Sequence, residues 1–170
     1  MMEKEKVLAL QPSSQGVGFA VLAGAESILD WGVKRTRSGN KNANALKVVQ
    51  GMIQHYRPAV IVLENHSSVG SRRQPRVQRL MDGISRLAAK YRIATCRFSR
   101  AQVRKAFAFA GARTKQQIAS VVAERFPELA PQLPPPRKIW KSEDHRQSTF
   151  DAVSFALTFY EAKRTQQRAA

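Results

Sequence analysis

Cysteine is almost missing from this chain. One residue, Cys96, in 170 excludes an internal disulfide framework and any multi-cysteine zinc site, and it fits a reducing, cytoplasmic setting. Acidic residues are scarce as well: 12 Asp and Glu stand against 29 Lys and Arg, a net charge of +17. No apolar run is long enough to cross a bilayer. The apolar stretch after Met-Met-Glu-Lys-Glu-Lys is too short for a secretory signal, and acids precede it. No membrane partner is therefore expected. Internal repeats and heptad arrays are also missing. The hydrophobic fraction is 43%, ordinary for a globular chain, and the length suits one domain over 1–170. Residues 1–6 and 164–170 read as tails, and 127–142 as a proline-rich connector.

The surplus of positive charge is not evenly spread. Residues 1–66 hold 8 basic and 5 acidic residues, whereas 67–170 hold 21 and 7. A field of this kind attracts polyanions, nucleic acid first among them. A membrane surface would need an amphipathic basic helix with exposed aromatics, and no segment demands that reading.

Hydrophobic periodicity predicts the elements. Val7–Leu10, Val17–Leu22 and Ile28–Val33 read as short strands joined by the turn-like links Pro12-Ser13-Ser14 and Ala23-Gly24-Ala25. Asn44–Tyr56 then takes a helical period, with Leu46, Val49, Met52, Ile53 and Tyr56 on one side. Arg57-Pro58 ends it, because proline disfavours the helical conformation in the preceding residue. Ala59–Leu63 has the unbroken apolar character of a strand buried on both faces. A helix over Val77–Tyr91 and a strand over Ile93–Phe98 follow. Ser99 and Thr114 are placed to cap helices over Arg100–Phe107 and Lys115–Phe126. A last helix is expected from about Asp144 to Lys163. This order predicts an α/β fold, a mixed five-stranded sheet flanked by helices, with three antiparallel strands and then two parallel ones.

Two acids sit where burial makes them costly. Glu64 directly follows the apolar strand Ala59–Leu63. Asp151 lies within the last helix, between Phe150 and Ala152-Val153. Asp144 falls two helical turns before Asp151 and shares its face if the helix starts early enough; Glu143 is a substitute. The competing reading for each acid is a cap or a salt bridge with one of the many arginines.

The stretches "VLALQPSSQGVGFAVL", "YRPAVIVLEN", "RFSRAQVRKAFAFAGARTKQQIASVVAERF" and "STFDAVSFALT", in this order and spacing, resemble the ribonuclease H-like superfamily. Within it they resemble the RuvC-type Holliday-junction resolvases. The resemblance spans roughly residues 7 to 160. It implies an endonuclease that cuts branched DNA as a homodimer, with two Mg²⁺ or Mn²⁺ ions between clustered carboxylates gripping the scissile phosphate. Glu64 matches the acid after the fourth strand and Asp151 the last acid of the C-terminal helix. Lys115 matches a lysine near the scissile phosphate. His66 and the residues to Gly70 match the segment that probes the junction centre. Two positions depart from the pattern. Gln11 stands where the family places its first Asp ligand, and Ser148 where it places an acid or His. Asp144 or Glu143 is the available substitute for Ser148. Three explanations of Gln11 stay open: a DNA-binding pseudonuclease, a metal site rebuilt around Glu64, Asp144 and Asp151, or a deliberate inactivating change in an active enzyme. An ATPase of the actin and sugar-kinase type, which shares a strand-turn-strand phosphate loop, would need a second lobe that the chain has no room for.

The candidate nucleic-acid contacts are basic. Arg72, Arg73, Arg76 and Arg79 follow Glu64 closely, and Pro75 is a natural first helical residue. His66, Arg100, Arg104, Lys105, Lys115, Arg137 and Lys138 join them, with Lys141 beside the last two. Duplex or branched DNA is the expected ligand. Trp31 is expected in the core or at a sheet edge. Trp140 is expected to pack, although its basic setting would suit a base. His145 is a minor candidate for phosphate or metal.

Overall fold

The computed structural model describes residues 4–36, 39–65, 75–138 and 140–170. Its centre is a five-stranded sheet in the order β3-β2-β1-β4-β5. Strands β1 (Val7–Pro12), β2 (Gly16–Leu22) and β3 (Ile28–Arg35) form an antiparallel meander. Strands β4 (Val60–Glu64) and β5 (Ala94–Phe98) add in parallel on the other side of β1. Parallel neighbours need long crossovers. Helices α1 (Lys41–Tyr56) and α2 (Pro75–Lys90) supply them. The mixed sheet expected from the sequence is the one observed.

The strands' period of two divides the core. Leu8, Leu10, Val17, Phe19, Val21, Ile61 and Leu63 face one way, toward α1 and α2. Val7, Ala9, Ala20, Leu22 and Val62 face the other, toward the later helices. Those helices are α3 (Arg100–Ala106), α4 (Lys115–Arg125) and α5 (Gln147–Ala169). The same alternation extends to the polar and glycine positions of the strands. It puts Gln11, Gly18 and Glu64 on the face covered by α5.

The local signals act where the sequence places them. Ser99 and Thr114 each close a capping box, with Gln102 and Gln117 respectively. Asn40 caps α1, and Arg57 ends it in the left-handed conformation just before Pro58. Helix α2 begins at Pro75. Two boundaries move. Helix α5 starts at Gln147 rather than near Asp144, and it runs on to Ala169, so residues 164–169 are helical rather than a tail. Asp144 therefore precedes the helix, and helical spacing does not set its position relative to Asp151.

Candidate functional site

The site grows from the ends of β1 and β4 and the first turns of α5. Strand β1 pairs with β4 through Val7↔Val60, Leu8↔Ile61 and Ala9↔Val62. Carried two residues further, this register sets Gln11 beside Glu64. Gln11 is also opposite Gly18 in β2. Gly18 lets α5 approach closely: a Cβ there would lie 2.5 Å from both the carbonyl carbon and the Oγ of Ser148. Asp151 follows one helical turn after Ser148. The four positions named by the family resemblance, Gln11, Glu64, Ser148 and Asp151, thus gather on one face, and all four are buried.

A guanidinium lies between the two acids. Arg100 Nε donates to Glu64 Oε1 at 2.9 Å, and Arg100 Nη2 donates to Asp151 Oδ2 at 3.2 Å. The ring of Phe155, one turn beyond Asp151, lies 5.2 Å from the guanidinium carbon. The Ser99 cap starts α3 at Arg100, directly after β5, and so aims this side chain at the end of the neighbouring β4. Lys115, the first residue of α4 after its Thr114 cap, brings its Nζ to 3.4 Å from Asp151 Oδ2 and 2.9 Å from Glu143 Oε2. Gln147 Nε2 donates to Asp151 Oδ1 at 3.0 Å. Burial alone would push the Asp151 carboxyl up. The charges of Arg100 and Lys115, with the hydrogen bonds from Arg100 and Gln147, outweigh it and hold the group below the usual carboxylate range. Burial likewise works against the Arg100 charge, and Asp151 and Glu64 overcome it.

Asp144 is engaged elsewhere. Its Oδ1 accepts from the backbone N–H and Nε of Arg146, and its Oδ2 accepts from Arg146 Nη2 at 2.8 Å. The hydrogen bonds from Arg146 bring its carboxyl down to about 2. His145 Nδ1 lies 3.6 Å from Asp144 Oδ1.

The remaining sequence candidates divide. Arg100 is expected at the DNA surface, yet it turns inward onto the acids. Arg76 is half-buried and donates to Asn42 Oδ1 and the Ser13 carbonyl, tying α2 to the β1–β2 turn. Arg79, Arg104, Lys105, Arg137 and Lys138 are exposed. His66, Arg72 and Arg73 lie outside the described residues. Trp31 packs against the core as expected. Trp140 does not pack; it is 77% exposed. Sequence reasoning missed Gln147, although its place four residues before Asp151 is an ordinary helical pairing distance.

A pair of divalent ions fits these residues poorly. Hard cations take several oxygen ligands, mostly charged. Here two of the four positions the resemblance implies as ligands, Gln11 and Ser148, bring no charge, and both carboxylates already serve the half-buried Arg100. Among the described residues, no cluster of three or more His, Cys, Asp or Glu side chains could hold a metal ion. The arrangement is an acid pair neutralised by an internal arginine and a lysine.

The fold is the ribonuclease H-like architecture found in the Holliday-junction resolvases. The Thermus thermophilus RuvC structure superposes with a TM-score of 0.71, at 18% identity over 95% of this chain and 96% of that one. T. thermophilus RuvC in complex with a Holliday junction substrate gives 0.70, at the same identity and coverage. The yeast mitochondrial Holliday junction resolvase Ydc2 gives 0.63 at 12% identity, covering 99% of this chain and 84% of that one. No protein-family model and no curated protein sequence matches the chain.

Proposed function

We propose that this protein binds branched DNA on the resolvase scaffold and does not cut it by the two-metal route. The carrying observation is Arg100, whose guanidinium bridges Glu64 and Asp151 where the resemblance calls for cations. A guanidinium neutralises the acids and keeps the pocket attractive to phosphate. It cannot carry and activate a water as a divalent ion does. The +17 charge and the exposed cations of α2, α3 and the connector supply the attraction to DNA. Binding of a four-way junction is carried over from the RuvC relative solved with that substrate. A homodimer is proposed on the same footing, because a two-fold assembly matches a junction's symmetry.

The endonuclease reading keeps one observation in its favour: Glu64 and Asp151 do converge. A synthetic four-way junction separates the two readings. The expected result is binding tighter than to linear duplex, with no cleavage in Mg²⁺ or Mn²⁺. Cutting by the unaltered chain that Glu64→Gln abolishes would overturn the proposal. Gln11→Asp alone is expected to stay inactive, since Arg100 and Ser148 remain.

A further inference from the structure

Beside the acid pocket, a cavity of about 740 Å³ opens between the start of α4 and the connector. The connector there is built stiffly. Pro134, Pro135 and Pro136 limit its backbone freedom. Gln116 of α4 donates to the Pro134 carbonyl at 3.2 Å. Just beyond, the Lys141 N–H donates to the Lys138 carbonyl at 3.0 Å. Arg137 Nε donates to the Lys141 carbonyl at 2.7 Å. Between these cations Trp140, the chain's largest side chain type, is 77% exposed. The Nζ of Lys138 lies 5.7 Å from the ring centroid.

The charge around Trp140 is one-sided. The nearby acids are engaged: Glu143 by Lys115 and Asp144 by Arg146. Among the described residues no ion pair engages Arg137, Lys138 or Lys141, and all three line the cavity. Lys115 lines it too, and its Nζ lies 3.4 Å from Asp151 Oδ2, so this side chain links the cavity to the acid pocket. An exposed aromatic ring among cations without acidic partners is the combination that holds single-stranded nucleic acid. The base stacks on the ring, and the phosphates follow the charges.

We infer that Arg137, Lys138, Trp140 and Lys141 form a second DNA contact that takes an unpaired strand. One base stacks on Trp140 while the backbone passes over Lys138, Lys141 and Arg137 toward Lys115. The inference rests on the reading of the chain as a binder of branched DNA, and it names the part of the branch that this flank would hold.

The test uses the full chain with three probes: a twelve-residue oligothymidylate, a blunt duplex and a four-way junction. Trp140→Ala is expected to weaken oligothymidylate binding by about 5- to 150-fold, the stacking of a single base, and to leave duplex binding within about twofold. Because the ring is exposed, the variant should keep the thermal midpoint of the unaltered chain. In a Trp31→Phe background, oligothymidylate should quench the remaining tryptophan emission. Equal oligothymidylate binding with and without the ring, parallel losses on duplex and oligothymidylate, or unquenched emission would each overturn the inference. Loss of junction preference with a clear Trp140 effect would sink only the branched-DNA reading.

Discussion

At the scale of single residues, Arg100 organises the pocket. Removing one member of a buried ion cluster is costlier than never building it, because the remaining charges lose their compensation. Arg100→Ala is therefore expected to lower stability by about 3–5 kcal/mol at neutral pH, read by urea unfolding. The pH dependence has a definite sign. A carboxyl held below its ordinary value of 3.8, as Asp151 is, contributes stability above that value and loses it as the pH falls through the lower folded value. The gap between the unaltered chain and Arg100→Ala should thus be widest near neutrality and narrow in acid. Asp144 gives a cleaner titration. It lies at about 2 because of Arg146, so Arg146→Gln should return its carboxyl toward 3.8, observed by NMR. Arg100 was also the residue least legible in the sequence. It lies 36 residues from Glu64 and 51 from Asp151, inside a segment rich in other cations. Nothing local separates an arginine that will turn inward from one that stays in water.

At the scale of elements, the site depends on how closely α5 lies on β2. Gly18 permits that approach, and a methyl group there would meet the backbone carbonyl carbon of Ser148 as well as its Oγ and Cβ, and the backbone atom cannot swing away. Gly18→Ala should cost about 1–3 kcal/mol, the usual penalty of overpacking, and lower the thermal midpoint with the sheet and helices retained by circular dichroism. The caps act at the same scale. Thr114 fixes Lys115 as the first residue of α4, so Thr114→Ala should cost about 1 kcal/mol and loosen the lysine's hold on Asp151. These features were largely legible. Both caps and the Arg57-Pro58 stop are local chemistry, and each acts within a few residues of itself. The start of α5 was less so. Asp144 shares its charged neighbourhood with Glu143, and its bonds to Arg146 hold it ahead of the helix.

Across the whole molecule, charge dominates. If six to ten phosphates are contacted, affinity for junction DNA should fall about 10³- to 10⁵-fold between 50 and 200 mM salt, with a log–log slope of about −5 to −9. A slope near zero in fluorescence anisotropy would mean that the positive charge does not serve binding. Among the described residues, no helix is long and apolar enough to cross a membrane, which agrees with the pattern of short apolar runs.

The sequence by itself determined the element order, the mixed sheet, and the burial of Glu64 and Asp151. Alternating and helical periods are properties of neighbouring residues, and they carry through to the two faces of the sheet. Tertiary structure alone decided what fills the space between those acids and which aromatic stays in water. Whether Arg100 points inward depends on where α3 leaves β5 relative to α5. Whether Trp140 packs depends on where a proline-stiffened connector meets α4. Both are distances between segments far apart in the chain, and no window of sequence contains them.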